Sequence, residues 1–204
     1  MLKLGEKGVI LQRDNQTYAV APHIPCGVVT PQLLRKLADV AEKYGAKALK
    51  ITGATRIAII GLKEEDIDAV WIDLGMSAGA AVGLCVRSIR ACPGTTYCKL
   101  GKQDALGVGL ALDEKYHGST LPNKLKMSVS GCFLNCTESW VRVGGNVGSQ
   151  PRIGKELAKG LNEGQAYEMI EKILQYYKTN AKKGERLGAM IDRVGLDALK
   201  VALS

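Results

Sequence analysis

The sequence predicts an α+β fold in two parts. Residues 17 to 74 read strand, helix, strand, strand, helix, which makes a small mixed layer. A glycine-rich connector at 75 to 83, "GMSAGAAVG", follows. Beyond it, strand-like runs give way to helical periodicity over the last third. These observations place one part at 1–74 and the other at 75–204. The 204 residues suffice for one sizeable domain or two small layers sharing a core.

In chain order, "TYAVAPHIPCGVV" (17 to 29) is extended and broken by Pro22 and Pro25. "TPQLLRKLADVAEKYG" then carries a helix's punctuation: Thr30 to cap it, Pro31 in the first turn and Gly45 to stop it. Leu33, Leu34, Leu37, Val40, Ala41 and Tyr44 recur at helical spacing. "AKALKIT" and "RIAIIGL" are β-rich, and "KEEDIDAVWIDLG" opens as a helix with an acidic first turn. In the second part "VRSIRA", "KLKMSVS" and "WVRVGG" suit strands, and "CKLGKQDALGVGLALDEKYHG" suits a loop leading into a helix. Two helical stripes close the chain, one through Tyr167, Ile170, Ile173, Leu174 and Tyr177, the other through Leu187, Met190, Ile191 and Val194.

Composition narrows the class. Hydrophobic residues make up 46% and charged residues 24%, an ordinary globular balance that argues against disorder or a coiled coil. Aromatics are only 5%, so the core is mostly aliphatic. "MLKLGEKGVI" has no apolar signal region, and the longest apolar run (75 to 86) is too short and glycine-rich for a bilayer span of ~20 residues. A cytoplasmic protein that engages no membrane is expected. In a reducing compartment, six cysteines point to metal binding or catalysis rather than disulfides. The net charge of +8 fits a solvated lysine surface or an anionic partner. Nucleic acid is not expected, because the basic residues are dispersed and no recognition motif or aromatic–basic interleaving is present.

Four of the six thiols are paired in sequence, as Cys92-x5-Cys98 and Cys132-x3-Cys136. Structural zinc usually takes pairs two to four residues apart, so the first pair is loose for zinc. The tight run of bacterial ferredoxins is absent, yet four thiolates from two loops can close around an iron–sulfur cube when their sulfurs converge. Iron–sulfur and zinc ligation both stay open on chemistry alone. Gly94, Gly101 and Gly131 would let backbone amides approach the cluster's sulfides. Cys26 and Cys85 sit in apolar surroundings and read as buried hydrophobes.

Several cations invite a role. Lys124 and Lys126, two apart in "KLK", share a face if the segment is a strand; edge-strand lysines that block aggregation are the alternative. Adjacent amines lower each other's pKa, which suits clamps and proton donors for a small anion. Arg56 lies among apolar neighbours, where a charge needs a partner. Arg87 and Arg90 are oddly spaced, so alternation points them to opposite faces. Arg142 and Arg152 read as ordinary surface arginines, and His23 and His117 as solvated loop histidines. No dinucleotide fingerprint or P-loop is present; "GVGLAL" lacks the third glycine.

Taken together, "ACPGTTYC" and "SGCFLNC" resemble the cysteine signature of siroheme-dependent sulfite and nitrite reductases. "TRIAIIGL", "VRSIRAC", "LPNKLKMSVSGC" and "GGNVGSQPRIG" are similar to that family's other motifs and follow in its order, covering residues 26 to about 155. The resemblance implies a ferredoxin-like half-domain followed by a nitrite/sulfite reductase 4Fe-4S domain with C-terminal helices. It implies a 4Fe-4S cluster held by Cys92, Cys98, Cys132 and Cys136, with Cys136 bridging to siroheme. Arg56 and Asn135 join these as cofactor-binding residues, and Arg56, Arg87, Lys124 and Lys126 become catalytic. The implied reaction is six-electron reduction of sulfite to sulfide or nitrite to ammonia, with electrons from a separate donor protein such as a ferredoxin. A cluster-only electron-transfer or accessory protein without siroheme is the alternative. The larger enzymes carry two copies of this module, with lysines and cysteines supplied by different copies. Here one copy holds both, so a residue-trading homodimer and a self-sufficient monomer each stay open.

Overall fold

The computed structural model describes residues 1–132, 141–146 and 151–203. Its first layer is a four-stranded antiparallel sheet of β1 (Val9–Leu11), β2 (Tyr18–Val20), β3 (Ala48–Ile51) and β4 (Ile57–Leu62), in the order β1-β2-β4-β3. Helices α1 (Pro31–Lys43) and α2 (Ile67–Leu74) share one aliphatic core with the sheet, built on Val9, Tyr18, Val20, Leu37, Ile59, Leu62 and Val70. The Thr30 hydroxyl accepts the Leu33 amide at 3.1 Å, Pro31 occupies the first turn, and Gly45 follows the helix end at φ +61°. Leu37, Val40 and Ala41 are buried as the periodicity predicts, whereas Leu34 is 45% exposed because it lies just off that stripe. Strand β1 was not anticipated; three residues are too few to show alternation.

The second part begins with β5 (Val86–Ala91), a single turn α3 (Gly94–Tyr97), helix α4 (Ala105–Tyr116) and β6 (Leu125–Val129). Strands β5 and β6 are parallel, which demands a crossover, and α4 supplies it while packing on β5. The antiparallel pair β7 (Val141–Val143) and β8 (Lys155–Ala158) precedes helices α5 (Glu163–Asn180), α6 (Leu187–Val194) and α7 (Leu196–Leu203). Strand β8 corrects the expectation of a wholly helical last third. Asn162 and Gln165 start α5 with a reciprocal capping box. Ile173, Leu174, Tyr177, Leu187, Met190 and Ile191 face inward as their stripes predict, and join Val86, Ile89 and Leu112 in a second core. Cys26 belongs to this core, beneath α4, so the Pro25–Gly27 turn stitches the first layer to the second. No helix among the described residues is long and apolar enough to cross a membrane.

Parallel pairing has one consequence for chemistry. The register ends Ala91 opposite Val129, so the segments that follow, Cys92 onward and Ser130–Cys132, leave the sheet side by side at the same edge.

Candidate functional site

The two cysteine loops are joined backbone to backbone. Cys92 N–H donates to the Val129 carbonyl at 3.0 Å, and Lys102 N–H donates to the Gly131 carbonyl at 2.6 Å. The Gln103 side-chain amide donates to the Ser130 carbonyl at 2.6 Å. A side chain at Gly101 would put its Cβ 2.5 Å from the Gly94 carbonyl group, and one at Gly131 would come within 2.7 Å of the Gly94 Cα. The glycines expected to admit a cluster therefore first allow the loops to touch. They also aim an amide at sulfur, since Gly131 N–H donates to Cys92 Sγ at 3.0 Å. Cys92, Cys98 and Cys132 are all free and half-buried. Among the described residues no three donors of His, Cys, Asp or Glu close on one metal position. Cys136 and Asn135 lie outside the described residues. Half-buried thiols with an amide donated to sulfur are the donor chemistry an iron–sulfur cluster takes, so the residues present fit that group.

Beside these loops lies a cavity of about 970 Å³, at the upper end of the ~300–1,000 Å³ usual for ligand sites. Its walls are β5, β6, α4, α5 and the start of α6. Arg87, Arg90, Lys124 and Lys126 all line it, together with Arg142, Arg152 and Arg186, against Asp104 and Glu163 alone among the described residues. Lys124 and Lys126 both face it, and so do Leu125 and Met127. Arg87 and Arg90 do too, contrary to simple alternation. The register jumps between Val86 and Ser88, leaving Arg87 as an extra residue, and a bulge of that kind re-aims the side chains around it. Arg142 and Arg152 are thus cavity residues rather than plain surface, although Arg152 also pairs with Asp192 at 2.8 Å. Arg186 had no sequence signal, because the loop that carries it is placed only by helix packing. Burial lowers the pKa of Lys126, and Arg90, Arg87 and Lys124 push it the same way. A lysine so poised gives up its proton more readily than one in water.

Arg56 stands apart. It is 3% exposed and does not line the cavity. Its Nη1 donates to the Ala21 carbonyl at 3.0 Å and its Nη2 to the Arg87 carbonyl at 2.8 Å. Its partners among the described residues are these main-chain oxygens and His117. The histidines depart from expectation. His23 and His117 stack with ring centroids 3.5 Å apart and 7° between planes. His23 Nε2 lies 2.6 Å from Asp113 Oδ2, and His117 Nε2 lies 3.2 Å from Arg56 Nη2. Spacing could not reveal them, since the two are 94 residues apart (117 − 23) in segments that look like loops. Cys26 and Cys85 are buried as expected, and burial pushes Cys26 up to about 11, too high for a ready thiolate.

Burial, with His23 next, lowers His117 to about 4 from 6.5. The unfolded chain therefore takes up this proton first as pH falls, and acid favours unfolding through this residue. The stability it permits is complete above about pH 6.5 and is lost progressively toward pH 4. In thermal melts across that window, the fall in Tm is expected to be shallower for His117→Gln than for the wild-type chain.

Comparison with known proteins adds the remaining observation. A family model described as the nitrite/sulfite reductase ferredoxin-like half domain matches residues 10–77, and one described as the nitrite and sulphite reductase 4Fe-4S domain matches 82–142 and 140–204. The chain belongs to the nitrite and sulfite reductase family. It is 40% identical to an assimilatory-type sulfite reductase of Nitratidesulfovibrio vulgaris, over 97% of each chain. It is 38% identical to the NAD(P)H nitrite reductase of Bacillus subtilis, covering 95% of this chain but 26% of that protein. Among solved structures, dissimilatory sulfite reductase I matches with TM-score 0.77 at 16% identity, over 92% of this chain and 69% of that one. The NirA protein of Mycobacterium tuberculosis matches with TM-score 0.78 at 16% identity, over 98% and 43%. The α+β architecture is thus the reductase family's own, a ferredoxin-like half-domain followed by the 4Fe-4S domain. Oxidoreductase chemistry comes with membership of a sulfite and nitrite reductase family.

Proposed function

We propose that this chain is a siroheme-containing reductase that carries sulfite or nitrite through six electrons, with Cys92, Cys98, Cys132 and Cys136 as cluster ligands. The observation that supports it most is the cation-lined cavity opening beside two interlocked cysteine loops. Its cations suit the carboxylates of siroheme and a small oxyanion, and its volume suits a macrocycle. When bound, the coupled cluster and siroheme would supply electrons one at a time at an iron that receives the anion. Cys136 is the ligand proposed to join them.

The chain's own residues handle charge and protons. Arg87, Lys124 and Lys126 hold the anion's oxygens, and each oxygen lost as water needs two protons at that oxygen. Lys126 Nζ, with its lowered pKa, is the donor best placed to give one. Replacing Lys126 with glutamine is expected to raise KM for the anion about tenfold and lower kcat about a hundredfold, since a positioned proton donor contributes ~10²–10⁴. Steady-state kinetics with a reduced dye would read both values.

Electrons are proposed to arrive from a separate protein. The sequence holds no dinucleotide fingerprint, and the Bacillus relative named for NAD(P)H is a longer protein of which this chain spans about a quarter. Anaerobic purification followed by metal count, tetrapyrrole extraction and dye-linked assays on both anions tests the whole reading. Five irons per chain (four in the cluster and one in siroheme), extractable siroheme and oxidation of dye by either anion are expected. A four-iron protein without siroheme or anion-dependent turnover would instead be a cluster-only carrier. A colourless, zinc-loaded product would refute both.

A further inference from the structure

The chain contains two histidines, and the fold stacks one on the other at the seam between its two parts. His23 comes from the segment after β2, His117 from the end of α4, and Asp113 from one turn earlier in α4. Asp113 is 4% exposed, and its Oδ1 has no hydrogen-bond partner among the described residues. A buried carboxylate of this kind holds the proton of His23 on Nε2, within 2.6 Å. His117 is neutral, because a cation stacked on His23 beside a buried guanidinium would be costly. Arg56 can only donate, so the 3.2 Å contact requires His117 Nε2 to accept and Nδ1 to carry the proton. The order along the chain is Asp113, His23, His117, Arg56, and then the Arg87 carbonyl at 2.8 Å.

Arg87 is the extra residue of the β5 bulge, so its main-chain groups fall out of step with β6. Arg56 takes up its carbonyl, and the side chain of Arg87 enters the cavity, where its Nε also donates to the Gly83 carbonyl at 2.9 Å.

We propose that this buried chain is a latch that sets Arg87. Asp113, His23 and His117 act as positioning residues for oxyanion capture, reaching Arg87 through Arg56. The inference rests on the oxyanion reading of the cavity given above. The charged and titratable groups facing the latch are Arg56 and His23 from the first part, and Asp113, Cys85 and Arg87 from the second.

Two measurements test it. In protein prepared without cofactors and labelled with ¹⁵N-histidine, the two rings are expected to show opposite tautomers at neutral pH, Nε2–H for His23 and Nδ1–H for His117. Arg56→Met, which removes the donor, is expected to shift His117 toward Nε2–H. Two rings of the same tautomer would overturn the latch, and this readout needs no turnover. In loaded enzyme with a reduced dye, His117→Leu is expected to raise KM for the anion about tenfold with kcat within about twofold, the pattern of lost binding alignment. His117→Gln, which keeps an acceptor, is expected to restore KM and to flatten its rise below about pH 5. If His117→Leu does not fold, Asp113→Asn, which removes only the charge that orders His23, carries the same comparison. An unchanged KM in these variants while Arg87→Gln raises it would sink the latch and leave the oxyanion reading standing. An unchanged KM in Arg87→Gln as well would remove both.

Discussion

Cys92→Ser and Cys98→Ser proteins, purified anaerobically, are expected to lose their cluster iron, about four of the five irons per chain. Dye-linked reduction of either anion should fall at least about a hundredfold, because loss of a ligand outweighs the 10–100-fold cost of losing its supporting shell. The loss should be chemical rather than structural. Neither sulfur is in the second core, whose apolar members are elsewhere, and the loops are tied by main-chain bonds that serine leaves intact. Far-UV circular dichroism of the variants should therefore match the wild type. Cys26→Ser is the control: its thiol is buried under α4, close to Gly109, and carries no ligand role. That variant is expected to keep its iron and to lose about 1–3 kcal/mol of stability from placing a hydroxyl in an apolar site. Full iron in Cys92→Ser would contradict the ligand assignment.

How much of this was legible before any coordinates depends on whether the signal was local. Thr30, Pro31 and Gly45 bounded α1 because capping acts within a few residues, and the structure places each in that role. Lys124 and Lys126 both reach the cavity, where the two-residue period of a strand would put them on one side. Arg87 and Arg90 defeated the same rule, since one bulge shifts the phase, and the register shift is visible only once β6 is paired with β5. Likewise His23 and His117 looked idle because their partners arrive from segments distant in sequence, through the packing of the first layer against α4. Arg56 was rightly suspected of needing a partner as a buried charge. What the sequence could not convey was that main-chain carbonyls and an imidazole would satisfy it. The family's motifs compensated for part of this, because a motif stores tertiary proximity that residue spacing alone does not.

Gly101→Ala is expected to destabilise the protein by about 3 kcal/mol, the upper end of the ~1–3 usual for overpacking. The reason is what the new methyl would meet. Its Cβ falls 2.5 Å from the Gly94 carbonyl carbon and oxygen and 2.7 Å from the Thr95 nitrogen, all main-chain atoms that cannot rotate away. Relief requires the first cysteine loop to separate from its own base, which would strain the Gly131 and Lys102 bond that joins it to the second loop. For a chain of this length each kcal/mol moves Tm by roughly 2–4 °C, so a fall of about 6–12 °C is expected, with iron content reduced in step. Gly164→Ala in the exposed first turn of α5 separates this effect from glycine chemistry in general. Its methyl would meet only Asn162 Oδ1, at an ordinary 3.5 Å. There the gain from restricting the unfolded chain dominates, and stability should rise by about 0.4–1 kcal/mol. If both substitutions behaved alike in calorimetry, the close approach of Gly101 to Gly94 within the first cysteine loop would not be a feature of the folded protein.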